Sequence, residues 1–243
     1  MKRGVILLGC LIFTSVCMML TLQWFYAQST TAVAPMFAGR ADTLILDAGH
    51  GGEDGGAVSI TGVPESQINL AIVLKMDDIL AFYGTSPILL RTEDLSLHDS
   101  DAATLREKKV SDLKNRVAAI QAVENATLIS IHQNSYPDGR YHGAQVFYAP
   151  TEGSMELAQH IQTALKTSLQ LDNNRERKQI PDTVYLMNHI TCRAVMVECG
   201  FLTNPEEEAK LRDDAYQRKL AALLSSAWLT SCDQITQAQD GAL

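Results

Sequence analysis

From about residue 41 onward, the chain alternates short runs of β-favouring residues with segments that carry apolar residues at helical spacing. Parallel strands need crossover connections, so this alternation favours parallel strands joined by helices. The sequence therefore predicts an α/β fold: a single three-layer domain, with a mostly parallel twisted sheet and helices on both faces. Strands are predicted at residues 43–46, 87–90, 127–131, 144–148, 184–187 and 194–197. Helices are predicted around residues 68–83, 113–120, 157–169 and 215–229.

Side chains that bind metals follow three of these strands. His50 comes after the first strand, His132 after the third, and Glu198 closes the last. Glu65 opens the first helix. Ligands bind beyond the carboxyl ends of the strands in open parallel sheets. Two imidazoles with one carboxylate form a common catalytic zinc shell that leaves a fourth position for water. We therefore predict a zinc site at the carboxyl ends of the strands, where the second carboxylate would serve as general base.

Glycines flank His50 and allow a tight turn that approaches a metal or a substrate closely. The alternative interpretation is a glycine-rich turn with an incidental histidine. Cys199 is expected to be a buried, inert thiol rather than a nucleophile. The remaining histidines are expected either at the surface or in contact with the metal ligands without binding the metal themselves. They are His98, His142, His160 and His189.

Composition excludes several other classes of protein. The formal net charge of −8 opposes a nucleic-acid interface, which needs a basic face. A hydrophobic content of 46% argues against disorder. Beyond the first apolar stretch, three scattered cysteines are too few for a disulfide scaffold.

The N-terminus carries an apolar run at residues 4–22, behind Lys2 and Arg3. Its length lies between that of a signal-peptide core and that of a full membrane span, and the two cations keep the N-terminus in the cytoplasm. A membrane anchor is preferred over a cleaved signal peptide and over a buried core helix. The predicted organisation is a signal or anchor segment, a linker, the catalytic domain and a C-terminal tail, at residues 1–27, 28–40, 41–235 and 236–243.

Four short motifs surround the candidate ligands. The first reads LDAGHGG at 46–52 followed by DGGA at 54–57, and the others read ESQINLA at 65–71, SIHQNS at 130–135 and VECGFLTNP at 197–205. In this order they resemble the motifs of the zinc-dependent N-acetylmuramoyl-L-alanine amidases, the Amidase_3 family. Four positions depart from the family's usual residues without removing a candidate ligand: Ala48, Gln133, Ser135 and Cys199.

Finer features resemble the CwlD branch of this family, the germination-specific spore cortex amidases. They are the N-terminal segment and the runs GAQVFY at 143–148 and VYLM at 184–187. The resemblance implies an exported enzyme of the cell envelope, anchored to the membrane or secreted. For a cortex role it implies the forespore intermembrane space.

The resemblance also implies the role of each site residue. It assigns zinc binding to His50, Glu65 and His132, and the catalytic carboxylate to Glu198. The implied reaction is hydrolysis of the amide between N-acetylmuramic acid and L-alanine of the peptidoglycan stem peptide, as a step towards muramic-δ-lactam in spore cortex. The alternatives are a vegetative wall amidase in cell separation, a zinc peptidase, and a non-catalytic peptidoglycan-binding protein.

Peptidoglycan is the expected partner, and no nucleic acid is expected. An acidic domain gains no long-range attraction to an anionic wall. Attachment to the membrane through the N-terminal segment, or an extracytoplasmic protein partner, would supply the local concentration instead.

Overall fold

The computed structural model describes residues 14–16, 18–21, 23 and 42–240, with side chains as far as residue 231. The described residues between 14 and 23 are helical and belong to a unit separate from the one that begins at Arg40. Among the described residues, no helix is both long and apolar enough to cross a membrane. Most of the predicted anchor and all of the predicted linker lie outside the described residues.

Within the part of the chain that the structure describes, six strands form the sheet. They are β1 (Thr43–Ala48), β2 (Ile88–Leu89), β3 (Ala126–Asn134), β4 (Gln145–Tyr148), β5 (Lys178–Gln179) and β6 (Arg193–Phe201). Their order across the sheet is β2-β1-β3-β6-β4-β5. β4 runs antiparallel to β6, and all other neighbouring strands are parallel. The prediction of an α/β fold with a mostly parallel sheet is confirmed.

Helices cover both faces of this sheet. They are α1 (Glu65–Phe82), α2 (Leu105–Gln121), α3 (Ser154–Ser168), α4 (Tyr185–Asn188), α5 (Pro205–Arg212) and α6 (Asp214–Asp240). On one face α2 and α4 pack over a core that contains Ile120, Leu128 and Met196. Ile129 and Val195 alternate with these residues along β3 and β6, so they are buried on the other face. There α1 and α3 pack against the strands, and α6 packs on both helices.

Local signals set several helix ends. Asn204 caps α5 by accepting hydrogen bonds from the backbone of Glu206 and Glu207, and Pro205 occupies the first turn, where proline is favoured. The α1 helix ends just before Gly84, whose φ of 75° lies in the left-handed region that favours glycine.

One predicted strand is wrong. Residues 184–187 lie at the start of the short helix α4 and form no part of the sheet. Leu186 and Met187 are adjacent and both buried in the core under α2. Two adjacent residues of a strand would point to opposite faces, whereas a helical turn lets both reach the same core. Asn188 stabilises this turn by donating to the carbonyl groups of Pro181 and Val184.

Two further elements differ from the prediction. The strand β5 consists of Lys178 and Gln179, which are both exposed, so it carries no apolar pattern that could have revealed it. The α6 helix continues to Asp240, past the expected end near Leu229 and into the segment predicted as a tail.

Candidate metal centre and active site

The predicted site residues converge at the carboxyl edge of the sheet. His50 follows β1, His132 lies near the end of β3, and Glu198 lies near the end of β6. His132 and Glu198 are direct neighbours in the β3–β6 register, so their side chains share one face. Glu65 approaches from the first residue of α1.

Three of these side chains form one cluster of ligand atoms. His50 Nε2 lies 3.4 Å from Glu65 Oε2, and His132 Nδ1 lies 3.0 Å from Glu65 Oε1. One ligand atom from each residue falls within 4.8 Å of the other two. A tetrahedral zinc ion with bonds of about 2.0–2.2 Å holds its ligand atoms roughly 3.3–3.6 Å apart. The cluster can therefore take one such ion after small side-chain movements.

The glycines of the first motif make room for this cluster. A Cβ atom on Gly49 would lie 2.2 Å from the His132 ring. A Cβ on Gly56 would lie 2.6 Å from Glu65 Oε2 and 2.7 Å from the His50 ring, and its φ is 71°. His50 itself has a φ of 62°, which an L-residue adopts only where its surroundings require it. The turn is thus shaped around the imidazoles and the carboxylate.

Glu65 is buried and surrounded by hydrogen-bond donors. Its Oε1 atom accepts from the backbone of Gln133 at 3.0 Å and from Asn69 Nδ2 at 3.2 Å, and its Oε2 atom accepts from the backbone of Ala57 at 3.0 Å. Burial raises the pKa of Glu65. The hydrogen bond from His132 and the charges of both imidazoles outweigh that effect and lower the pKa to about 2. Glu65 is therefore ionised at neutral pH, as a metal ligand must be.

A second carboxylate, that of Asp54, orients His50. The Nδ1 atom of His50 donates to Asp54 Oδ2 at 3.0 Å, which leaves the Nε2 atom of His50 turned towards Glu65. Asp54 is held in turn by Lys109 at 3.1 Å. Carboxylates of this kind fix the tautomer and the ring orientation of histidine ligands. Sequence reasoning missed Asp54, although its position in the first motif, four residues after His50, was a signal.

Glu198 differs from Glu65 in its surroundings. Its Oε2 atom is buried and has no hydrogen-bond partner among the described residues. Burial raises its pKa to about 7; the negative charge of Glu65 adds to the rise, and His132 opposes it. A carboxylate with a pKa near neutrality can both accept and donate a proton at physiological pH.

A cavity of about 220 Å³ opens onto His50 and His132. Residues of α2 line it, including Lys109 and Leu113, and so do residues 183–186 at the start of α4. The segment that was predicted as a strand therefore forms one side of the approach to the ligands.

Two buried arginines stabilise the turn that carries His50. Arg116 donates to the carboxylate of Asp47 and to the carbonyl oxygen of His50. Arg91 donates to the carbonyl oxygens of Ala48 and Gly49. The sequence carries a signal that Arg116 is buried, because it occupies the same helix face as the apolar residues Leu113, Val117 and Ile120.

The other residues singled out in the sequence lie outside the cluster. Cys199 is buried, and burial raises the pKa of its thiol, so it is inert as expected. His189 stacks on Tyr185 with ring centroids 3.8 Å apart, and His160 bonds to Thr230. His98 bonds to Ser96, and His142 faces Asp172.

A three-residue cluster that can hold one metal ion, next to a carboxylate with a raised pKa, is typical of metal-dependent hydrolases. Residues 44–228 match the family of N-acetylmuramoyl-L-alanine amidases. The germination-specific N-acetylmuramoyl-L-alanine amidase of Bacillus subtilis (strain 168) is 35% identical over 180 residues, which cover 74% of this chain and 75% of the relative.

Solved structures show the same likeness. The CwlD amidase from Clostridioides difficile, in complex with the GerS lipoprotein, is 38% identical with a TM-score of 0.75 and covers 79% of this chain and 98% of its own. An N-acetylmuramoyl-L-alanine amidase from Clostridium difficile 630 is 28% identical with a TM-score of 0.68. The match covers 80% of this chain and 98% of that structure's chain.

This chain belongs to the N-acetylmuramoyl-L-alanine amidase family. The prediction of an N-acetylmuramoyl-L-alanine amidase, made from four motifs, is confirmed, as is the likeness to germination-specific and CwlD amidases.

Proposed function

We propose that His50, Glu65 and His132 bind one Zn²⁺ ion and that Glu198 is the catalytic carboxylate. The observation that carries this proposal is the cluster of three ligand atoms within 4.8 Å of one another. Two nitrogen donors and one carboxylate oxygen match the donor set of catalytic zinc. The low pKa of Glu65, at about 2, supports its role as the anionic ligand.

Zinc in such a shell supplies an acidified water molecule and a Lewis acid for the carbonyl oxygen of the substrate. The scissile bond is the amide between N-acetylmuramic acid and L-alanine of the stem peptide. Glu198 accepts the proton of the attacking water at Oε2 and later donates a proton to the departing amine of L-alanine. Its unpartnered, buried Oε2 atom and its pKa of about 7 support both transfers. We assign Glu65 no part in proton transfer, because a carboxylate with a pKa of about 2 is too weak a base to take the proton.

The cavity between α2 and α4 supports access to the proposed metal ligands. It lies beside His50 and His132, so a part of the substrate can approach them from this side. The alternative of a non-catalytic peptidoglycan-binding protein is disfavoured, because the ligand cluster and the carboxylate with the raised pKa are both present.

The activity is tested by mass spectrometry of purified peptidoglycan digested with the full chain and zinc. The proposal predicts peptides that begin with L-alanine, glycan strands with free muramic carboxylates, and no product after zinc is chelated. Cleavage between two amino acids would instead identify a peptidase.

We further propose that the enzyme acts in the spore cortex, at a step towards muramic-δ-lactam. The likeness to a germination-specific amidase and to CwlD supports this role. It also supports action in the cell envelope, which we place at the forespore intermembrane space. We propose that residues 1–27 attach the chain to the membrane, because Lys2 and Arg3 precede an apolar run at residues 4–22. The structural neighbour is a complex with a lipoprotein, which supports an extracytoplasmic protein partner here.

The cortex role is tested by deleting the gene and measuring muramic-δ-lactam in spores. Loss of the lactam with normal vegetative separation is expected. Chained vegetative cells and unchanged cortex would favour the alternative, a vegetative wall amidase.

A further inference from the structure

Arg175 feels the charges of Glu207 and of the proposed catalytic carboxylate, Glu198, but forms an ion pair with neither. It belongs to the irregular segment before β5 and its side chain is partly buried. Its guanidinium carbon lies 5.0 Å from the centroid of the Phe201 ring. Among the described residues no carboxylate forms an ion pair with it, whereas Arg116, Arg140 and Arg212 all have acidic partners.

The position of Arg175 is set by its contact with β4. Its Nη2 atom donates to the side chain of Gln145. Gln145 is the direct neighbour of Glu198 in the β4–β6 register, and Glu198 is the direct neighbour of His132 in the β3–β6 register. The three side chains therefore form a row across one face of the sheet. With neighbouring strands about 4.8 Å apart, Gln145 lies one strand spacing from Glu198 and two from His132, so Arg175, which bonds to Gln145, is placed roughly 5–10 Å from these two site residues.

The guanidinium keeps Nη1 for a ligand. Its Nε atom has no hydrogen-bond partner among the described residues either, but Nε is buried and Nη1 is not. Nη1 makes no hydrogen bond within the described chain, and only Nη2 has an acceptor, the neutral amide of Gln145. Arg175 does not donate to Glu198 Oε2, which has no partner either. A planar guanidinium stacked on an aromatic ring, with free donors, is suited to bind a carboxylate.

The substrate carries such a group at a matching distance. An extended peptide advances about 3.3–3.6 Å per residue, so 5–10 Å corresponds to the second residue beyond the scissile amide. The second residue of a stem peptide is a glutamate whose α-carboxyl group is either free or amidated. We propose that Arg175 is a specificity residue that binds this free carboxylate. The inference rests on the proposed function, since it assumes that the stem peptide is the leaving group.

The test compares two muropeptides that differ only at this group, one with D-glutamate and one with D-isoglutamine as second residue. The full-length, zinc-loaded wild type is expected to cleave the D-glutamate substrate with a kcat/KM about 10- to 100-fold higher, the contribution typical of a charge-assisted hydrogen bond. Arg175→Gln should lower kcat/KM by this factor on the D-glutamate substrate, chiefly through KM. The kcat/KM of this variant on the D-isoglutamine substrate should stay within about twofold of the wild-type value.

Arg177→Gln is the matched control. Arg177 lies two residues along the same segment, also has a buried, unpartnered Nε atom, and stands over Tyr148 at 6.0 Å. This variant should keep the preference for the free carboxylate.

The inference is overturned if the wild type cleaves both substrates equally, a result that needs no variant to fold. It is also overturned if Arg175→Gln slows both substrates alike, which would mean that Arg175 acts through Glu198. If the wild type releases no L-alanine peptide from either substrate, the proposed function itself is wrong.

Discussion

Glu65 and Glu198 have identical side chains within one site, and their environments shift their pKa values in opposite directions. Both are desolvated, which raises the pKa of a carboxyl group. Glu65 also accepts hydrogen bonds from His132 and from two backbone amides, so its pKa falls to about 2. Glu198 has an oxygen without a partner, so burial prevails and its pKa rises to about 7. The environment, rather than the residue type, separates ligand from base.

A residue-scale prediction concerns Asp54, which orients His50 through its Nδ1 atom. Asp54→Asn should weaken zinc binding about 10- to 100-fold, as removal of such an outer partner typically does. Competition with a zinc chelator of known affinity measures the change. The control is Asp138→Asn, at a partly buried residue that pairs with Arg140 away from the ligand cluster, and this variant should bind zinc as the wild type does. Equal zinc affinity in both variants would show that Asp54 does not orient the ligand.

At the scale of secondary structure elements, one buried ion pair joins two strands and a helix. Arg116 from α2 donates to Asp47 on β1, and Ser130 on β3 donates to the same carboxylate at 2.6 Å. Burial raises the pKa of Asp47, but Arg116 and Ser130 outweigh it, so the pKa lies below 3.8. The stabilisation from this carboxylate is therefore complete above about pH 4 and is lost as pH falls through its folded-state pKa.

The variant Asp47→Asn should lower the free energy of unfolding by about 3 kcal/mol at pH 7. This value lies at the low end of the stability loss that follows removal of one partner from a buried ion pair. We expect the low end because Arg116 keeps Asp112 as a partner. Urea denaturation measures the loss, and the difference from the wild type should narrow below pH 4. Asp214→Asn, which removes the exposed partner of Lys75 and Arg218, should change stability little. Equal stability of Asp47→Asn and Asp214→Asn would show that the pair of Asp47 and Arg116 does not stabilise the packing of α2 on the strands.

At the scale of the whole molecule, the sequence was sufficient for the fold class and for the convergence of the site. Strand ends meet at one edge of a parallel sheet, so His50, His132 and Glu198 could be placed together without a structure. Contacts made by residues distant in sequence could not be foreseen in the same way. Residues 184–187 favour a strand locally, yet packing of two adjacent side chains into one core makes them helical. Arg175 reaches the site through Gln145, 30 residues away, and no local pattern marks that contact.

The full chain should associate with the membrane, because Lys2 and Arg3 precede a long apolar run. Fractionation of a tagged full-length protein should recover it with the membranes, and a variant that lacks residues 1–27 should lose this association. Recovery of the full chain as soluble cytosolic protein would contradict the expectation of an exported enzyme.

The most direct test of the proposed metal centre measures zinc content and amidase turnover together in the wild type, Glu65→Gln and Glu198→Gln. We expect about one zinc per chain in the wild type and in Glu198→Gln, and substantially less in Glu65→Gln. Turnover should fall about 10²- to 10⁴-fold in Glu198→Gln, the contribution typical of a general base, and added zinc should not restore it. In Glu65→Gln, excess zinc should restore part of the activity. Loss of zinc from Glu198→Gln, or near-normal turnover of that variant, would contradict the assignment of ligand and base.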